Sequence, residues 1–160
     1  MIRFIVLGIM LVYIQHFSAD NISFMNITPN LLLPLIIYIS IFKKTVPALI
    51  FAFLLGIVID LNNPACFGIT TFLFIVIAFV LANIKSMISK GQLLAYLSVI
   101  LFTNFLFFLF SNLIIYIFQI NQTFPIGEIL ILSIYNTFLS VLMIAIFNYI
   151  NKLSIRLKEY

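Results

Sequence analysis

The chain has 160 residues, of which 65% are hydrophobic and only 8% charged, with a formal net charge of +4 and a mean hydropathy of +1.31. A soluble domain carries about a quarter charged residues, so a water-solvated surface is excluded and the class is integral membrane. The positive excess then reads as the basic side of a bilayer protein facing anionic lipid, not as a nucleic-acid footprint.

Apolar runs fall at about 3–19, 29–42, 46–61, 68–84, 93–118 and 128–150. A span needs about 20 apolar residues, within a range of roughly 17–25. The first, fifth and sixth runs meet this and the fourth is adequate. At about 1.5 Å per residue the second and third reach only about 21 and 24 Å. They form a hairpin around Lys43-Lys44, and the weakly polar stretch 22–27 is available to extend the second helix. The N-terminus resembles a signal peptide, with Ala19 at the −1 position, but Phe17 would then occupy −3, so the segment is expected to stay as an uncleaved first span.

Punctuation agrees with these boundaries. Thr28-Pro29 reads as an N-cap followed by proline at the first helical position, and Thr45 with Pro47 opens the third run similarly. Asn62-Asn63-Pro64 closes that run, and Pro34 is expected to kink the second span from inside. Arg3, Lys43, Lys44, Lys85, Lys90, Lys152, Arg156 and Lys158 fall on one side of this map, with Glu159. Asp20, Asp60 and Glu128 fall on the other. Basic loops stay in the cytoplasm, which places both termini inside and predicts an all-α bundle of six spans forming one membrane domain over residues 1–160.

The third run carries Ala48, Ala52, Gly56 and Asp60 at four-residue spacing. This is the packing stripe expected of the most buried helix, because small residues let another backbone approach closely. Asp60 ends that helix, where the dipole disfavours an anion; backbone N–H groups of the 62–68 turn are expected to compensate. Its first reading is a structural anchor and its second a proton or ion site. Counting residues inward places Asn104 and Asn136 near mid-membrane on antiparallel neighbours, so the two are predicted to hydrogen-bond. Asn112, Ser133 and Ser140 are expected to serve as further polar links.

Other chemistry has little material. His16 is the single histidine, a metal site normally needs three or four ligands, and Cys66 has no nucleophilic partner in sequence. No hydrolase, zinc-protease or P-loop motif occurs, and no cofactor is implied. The sequons at Asn21, Asn26 and Asn121 lie too close to the bilayer to make good glycan acceptors. Phe102, Phe105, Phe107, Phe108 and Phe110 crowd the fifth run, equally suited to lipid and to partner contact.

Three stretches carry a resemblance: Thr28-Pro29-Asn30-Leu31-Leu32-Leu33, then Gly56-Ile57-Val58-Ile59-Asp60-Leu61, then Pro64 and Gly68. Together with the length and the short loops, the chain resembles MreD, the bacterial rod shape-determining membrane protein family, over its whole length. That family typically opens span two with Pro-Asp or Pro-Asn, ends span three with Gly-x-x-x-Asp and opens span four with Gly; here Asn30 stands for the commoner Asp. The resemblance implies a non-enzymatic scaffold of the cell-wall elongation machinery in the bacterial inner membrane, regulating peptidoglycan synthesis. Its implied partners are membrane lipids and a single-span MreC-like protein and, through that protein, MreB filaments, RodA and a class B penicillin-binding protein, with no nucleic acid. It also implies a fold similar to the substrate-binding subunits of energy-coupling-factor vitamin transporters. Such a subunit is the alternative function, although the Ala-x-x-x-Ala docking pattern of those subunits is absent from the first span. A small proton or ion channel, which would need Asp60 on a water-filled path, is a third.

Overall fold

A computed structural model describes residues 2–17, 28–62, 67–85, 93–118 and 124–156. These residues form helices and their connections: α1 (Ile2–Phe17), α2 (Leu32–Phe42), α3 (Thr45–Asn62), α4 (Ile69–Ile84), α5 (Leu93–Ile117) and α6 (Ile126–Arg156). Stretches Thr45–Asn62, Leu94–Ile117 and Ile126–Ile150 are long and apolar enough to cross a membrane; α1, α2 and α4 are apolar but shorter. Several lengths differ from expectation: the sixth helix runs 31 residues and the second only 11. The third helix reaches 18 residues because Thr45 and Asn62 both join it, whereas the first stops at 16. The suggested extension of the second helix through 22–27 does not occur: that helix begins at Leu32 and residues 28–31 before it are not helical, while 22–27 themselves lie outside the described residues.

The short helix α2 is the axis of the bundle. It packs against α1, α3, α4 and α6, while α1–α3, α3–α4, α4–α5 and α5–α6 contacts carry the other helices around it. Every residue from Leu32 to Ser40 is buried. The most buried helix is therefore α2 and not, as its small-residue stripe suggested, α3. The stripe is nonetheless inside, with Ala48, Ala52, Gly56 and Asp60 all buried; the opposite face of α3, including Val46, Ile50, Phe53 and Leu54, is exposed. Enclosure on every side, rather than small residues on one, determines total burial, and α2 needs only large aliphatic groups to fill it.

Helix α2 also starts later than Thr28-Pro29 implied. Asn30 is the capping side chain: its Oδ1 accepts from the backbone N–H groups of Leu32 at 3.0 Å and Leu33 at 3.1 Å. Two first-turn donors are thereby satisfied, and Pro29 lies outside the helix. Pro34 falls in the first turn, where a missing N–H forfeits little, so the expected interior kink has no place to occur. At the other end Lys85 Nζ donates to the Lys43 carbonyl at 3.0 Å, satisfying a carbonyl just past the α2 C-terminus. Here Tyr38 packs its ring against Phe4, Phe42 and Phe147, and the Lys43 ammonium lies 5.0 Å from the Phe4 ring centre.

The phenylalanines of α5 divide by face. Phe107 and Phe108 are buried, and Phe107 meets Phe74 of α4 at 5.5 Å between ring centres. Phe102 and Phe110 are exposed.

Candidate functional site

Two polar constellations interrupt the apolar interior. The first joins the end of α3 to the start of α4. Asp60 is only 2% exposed, yet its carboxylate accepts four hydrogen bonds. Gly68 N–H donates at 3.0 Å, Thr70 N–H at 3.2 Å, Thr71 N–H at 2.9 Å and the Thr71 hydroxyl at 2.6 Å. Asp60 thus serves as the N-cap of a helix it does not belong to. The unfavourable dipole at the end of its own helix is met by the favourable one of α4, and the compensating N–H groups extend past the expected turn into that helix.

Two glycines make the clasp possible. Gly68 holds φ at +92°, a left-handed conformation that costs an L-residue with a Cβ, and this aims its N–H at the carboxylate. One turn before Asp60, Gly56 lies against Thr71 so closely that a Cβ on it would stand 2.4 Å from the Thr71 Cα. The small residue at 56 brings α4 near enough for Thr71 to reach Asp60 twice. Pro64 and Cys66 lie outside the described residues.

The second constellation is a polar layer within the bundle. Asn136 Nδ2 donates to Asn104 Oδ1 at 2.5 Å, and Asn104 Nδ2 reaches the Ser140 hydroxyl at 3.3 Å. Asn136 has a further partner: its Oδ1 accepts from Asn30 N–H at 2.9 Å. The entry to α2 is held from the other side by Gln15 of α1, which donates to the Pro29 carbonyl at 2.8 Å and accepts from Leu31 N–H at 2.7 Å. Asn104 and Asn136 are fully buried. A chain of bonds therefore runs from α1 through the start of α2 to α6 and α5. Asn136 lies about 15 Å along α6 from Ile126, so α2 begins well inside the bundle.

Asn112 and Ser133 do not join this layer; each bonds to a carbonyl of its own helix, Phe108 and Ile129 respectively. Thr71 and Gln15 were missed in sequence. Gln15 was visible as an amide within an apolar run, and Thr71 only as a hydroxyl three residues after Gly68. His16 is exposed and meets Phe17 edge-on. The sequon residues Asn21, Asn26 and Asn121 lie outside the described residues. Two buried hydroxyls, of Tyr38 and Tyr96, have no hydrogen-bond partner among the described residues.

Among the described residues no group of three or more His, Cys, Asp and Glu side chains is placed to hold a metal. The polar groups of both constellations are spent on one another and on helix ends. This defines a membrane helical bundle organised for fixed packing between helices. The chain belongs to the rod shape-determining protein MreD family, whose model matches residues 1–153; this is a family of shape-determining proteins and not a known enzyme family. No curated protein and no solved structure matches the chain.

Proposed function

We propose that the chain is a non-enzymatic scaffold of the cell-wall elongation complex, a six-pass protein of the bacterial inner membrane with both termini in the cytoplasm. The family match over residues 1–153 carries this reading. The geometry of Asp60 supports it: four protein donors converge on its carboxylate, three on Oδ2 and one on Oδ1. An acid so engaged holds helices rather than passing ions. The charge sorting of the sequence supports the orientation, with Lys43 and Lys85 together at one end and Asp60 toward the other.

The scaffold's direct partner is a single-span MreC-like protein, and through it MreB filaments, RodA and a class B penicillin-binding protein. The fold kinship with energy-coupling-factor substrate-binding subunits belongs to the same proposal. Expression of the chain in a rod-shaped bacterium depleted of its own family member tests it. Rods should return, and the MreC-like protein should co-purify from detergent-solubilised membranes. Round cells despite a membrane-inserted, folded chain would refute the scaffold role.

A further inference from the structure

The 11 residues of α2 rise about 15 Å, half of a hydrocarbon core about 30 Å thick. One end of the helix lies at the lysine-bearing face, where Lys85 donates to the Lys43 carbonyl. The other end is tied to Asn136 through the Asn30 N–H. Asn136 and its partner Asn104 both fall near the middle of their apolar stretches, Ile126–Ile150 and Leu94–Ile117. Two measures, taken from different helices, thus place the entry to α2 close to the bilayer centre.

The chain that arrives there is irregular, since residues 28–31 are not helical. A helix would satisfy the Asn30 carbonyl with the N–H four residues on, but that residue is Pro34, which has none. No other donor among the described residues reaches this carbonyl. Asn30 is only half-buried and Thr28 is exposed. Along an extended chain Thr28 stands at most about 7 Å from Asn30, still inside a half-core of about 15 Å. Irregular backbone at this depth persists only where protein buries it or water wets it, because an unpaired carbonyl in hydrocarbon carries a large desolvation penalty. Protein leaves Thr28 and part of Asn30 uncovered.

We propose that a water-filled crevice enters the bundle at the end opposite Lys43 and Lys85 and reaches the bilayer centre at Asn30, whose carbonyl it hydrates. The crevice ends there, because Asn136 and Asn104 are fully buried. It admits water to the entry of α2 without making a path through the membrane. The inference rests on the membrane-spanning reading, and neither on its orientation nor on the scaffold role.

The test is thiol labelling in membranes, in a Cys66→Ser background that leaves one introduced cysteine in each chain. A membrane-impermeant maleimide is applied to spheroplasts and, separately, to inverted vesicles. Thr28→Cys probes the crevice, and Asn30→Cys probes its deepest point. Phe53→Cys replaces an exposed residue midway along α3, and Lys44→Cys, also at an exposed position, marks the basic end. A thiol reacts as its thiolate, which hydrocarbon suppresses, so Thr28→Cys should label at least about tenfold faster than Phe53→Cys. Both crevice probes should label from the side opposite to the one that labels Lys44→Cys. Thr28→Cys leaves the Asn30 cap intact and keeps the test decisive should Asn30→Cys fail to fold. Thr28→Cys as slow as Phe53→Cys, labelling from the same side as Lys44→Cys, or reaction with a membrane-permeant maleimide alone would each overturn the proposal. Fast labelling of Phe53→Cys would overturn the membrane-spanning reading and the crevice with it.

Discussion

Replacing Gly56 by alanine should loosen the α3–α4 clasp more than any comparably small change. The added Cβ would stand 2.4 Å from the Thr71 Cα, 2.9 Å from its Oγ1 and 3.0 Å from its Cβ. Carbon atoms rest at about 3.5–4.0 Å, so the helices must part by about 1 Å. The nearest obstacle is backbone, which cannot rotate aside as a side chain can. Overpacking of this kind costs about 1–3 kcal/mol, and moving Thr71 stretches two of the four bonds to Asp60, each worth about 1.5–3 kcal/mol to a charged group. The helical preference of alanine over glycine returns at most about 1 kcal/mol. A net loss of about 2–3 kcal/mol lowers the melting temperature by about 4–12 °C for a chain of this size. Circular dichroism melting of the purified protein in one detergent measures it. Gly8→Ala is the graded comparison, because its Cβ would meet the movable Leu55 Cδ2 at 3.0 Å, and Gly127→Ala, with nothing within 4 Å, is the control. The expected order of loss is Gly56, then Gly8, with Gly127 unchanged or slightly more stable. A Gly56→Ala protein melting within about 1 °C of wild type would refute the close-approach argument.

Asp60→Ala strands a buried Thr71 N–H and hydroxyl and should destabilise by about 3 kcal/mol or more; a double-mutant cycle with Thr71→Ala should show coupling of about 1–3 kcal/mol, and simple additivity would contradict the clasp. In the polar layer, Asn136→Leu should cost more than Asn104→Leu, because Asn136 also serves the backbone of Asn30. Equal melting temperatures for the two variants would count against the role of Asn136 at the α2 entry. Gln15→Leu leaves the Pro29 carbonyl and the Leu31 N–H without their partner and should lower stability by about 1–3 kcal/mol, whereas Gln15→Glu keeps only the acceptor. Tyr38→Phe removes a buried hydroxyl that has no partner among the described residues, so it should be neutral or stabilising; a loss beyond about 1 kcal/mol would mean that the hydroxyl binds a group such as water.

The sequence made helix existence readable, since apolar runs and charge sorting act at the scale of whole segments. It also made Asp60 and Gly56 stand out, one as an acid beside apolar residues and the other as part of a four-residue stripe. Counting residues inward was enough to pair Asn104 with Asn136, because rise per residue is constant in a helix. What could not be read was enclosure. Nothing in Leu32–Phe42 distinguishes a helix surrounded by neighbours from one facing lipid, since lipid and protein interior are equally apolar. The capping of α2 by Asn30 rather than Thr28 depended on where the chain turns, and the partners of Asn30 and Leu31 come from α6 and α1. Such long-range polar contacts follow from the assembled bundle and leave little periodic trace. The division of the α5 phenylalanines between buried and exposed faces likewise needed the positions of α4 and α6.

As the proposed scaffold, the chain acts by holding helices and partners in place, with Asp60 as structure and not chemistry. Asp60→Asn tests it most directly when three quantities are read from the same cells: the level of folded chain, the capture of the MreC-like partner and the fraction of rod-shaped cells. All three should fall together, and a second change restoring the folded level should restore partner capture and rods as well. Asp60→Asn protein present at the wild-type folded level and bound to its partner, in cells that are nevertheless round, would contradict it.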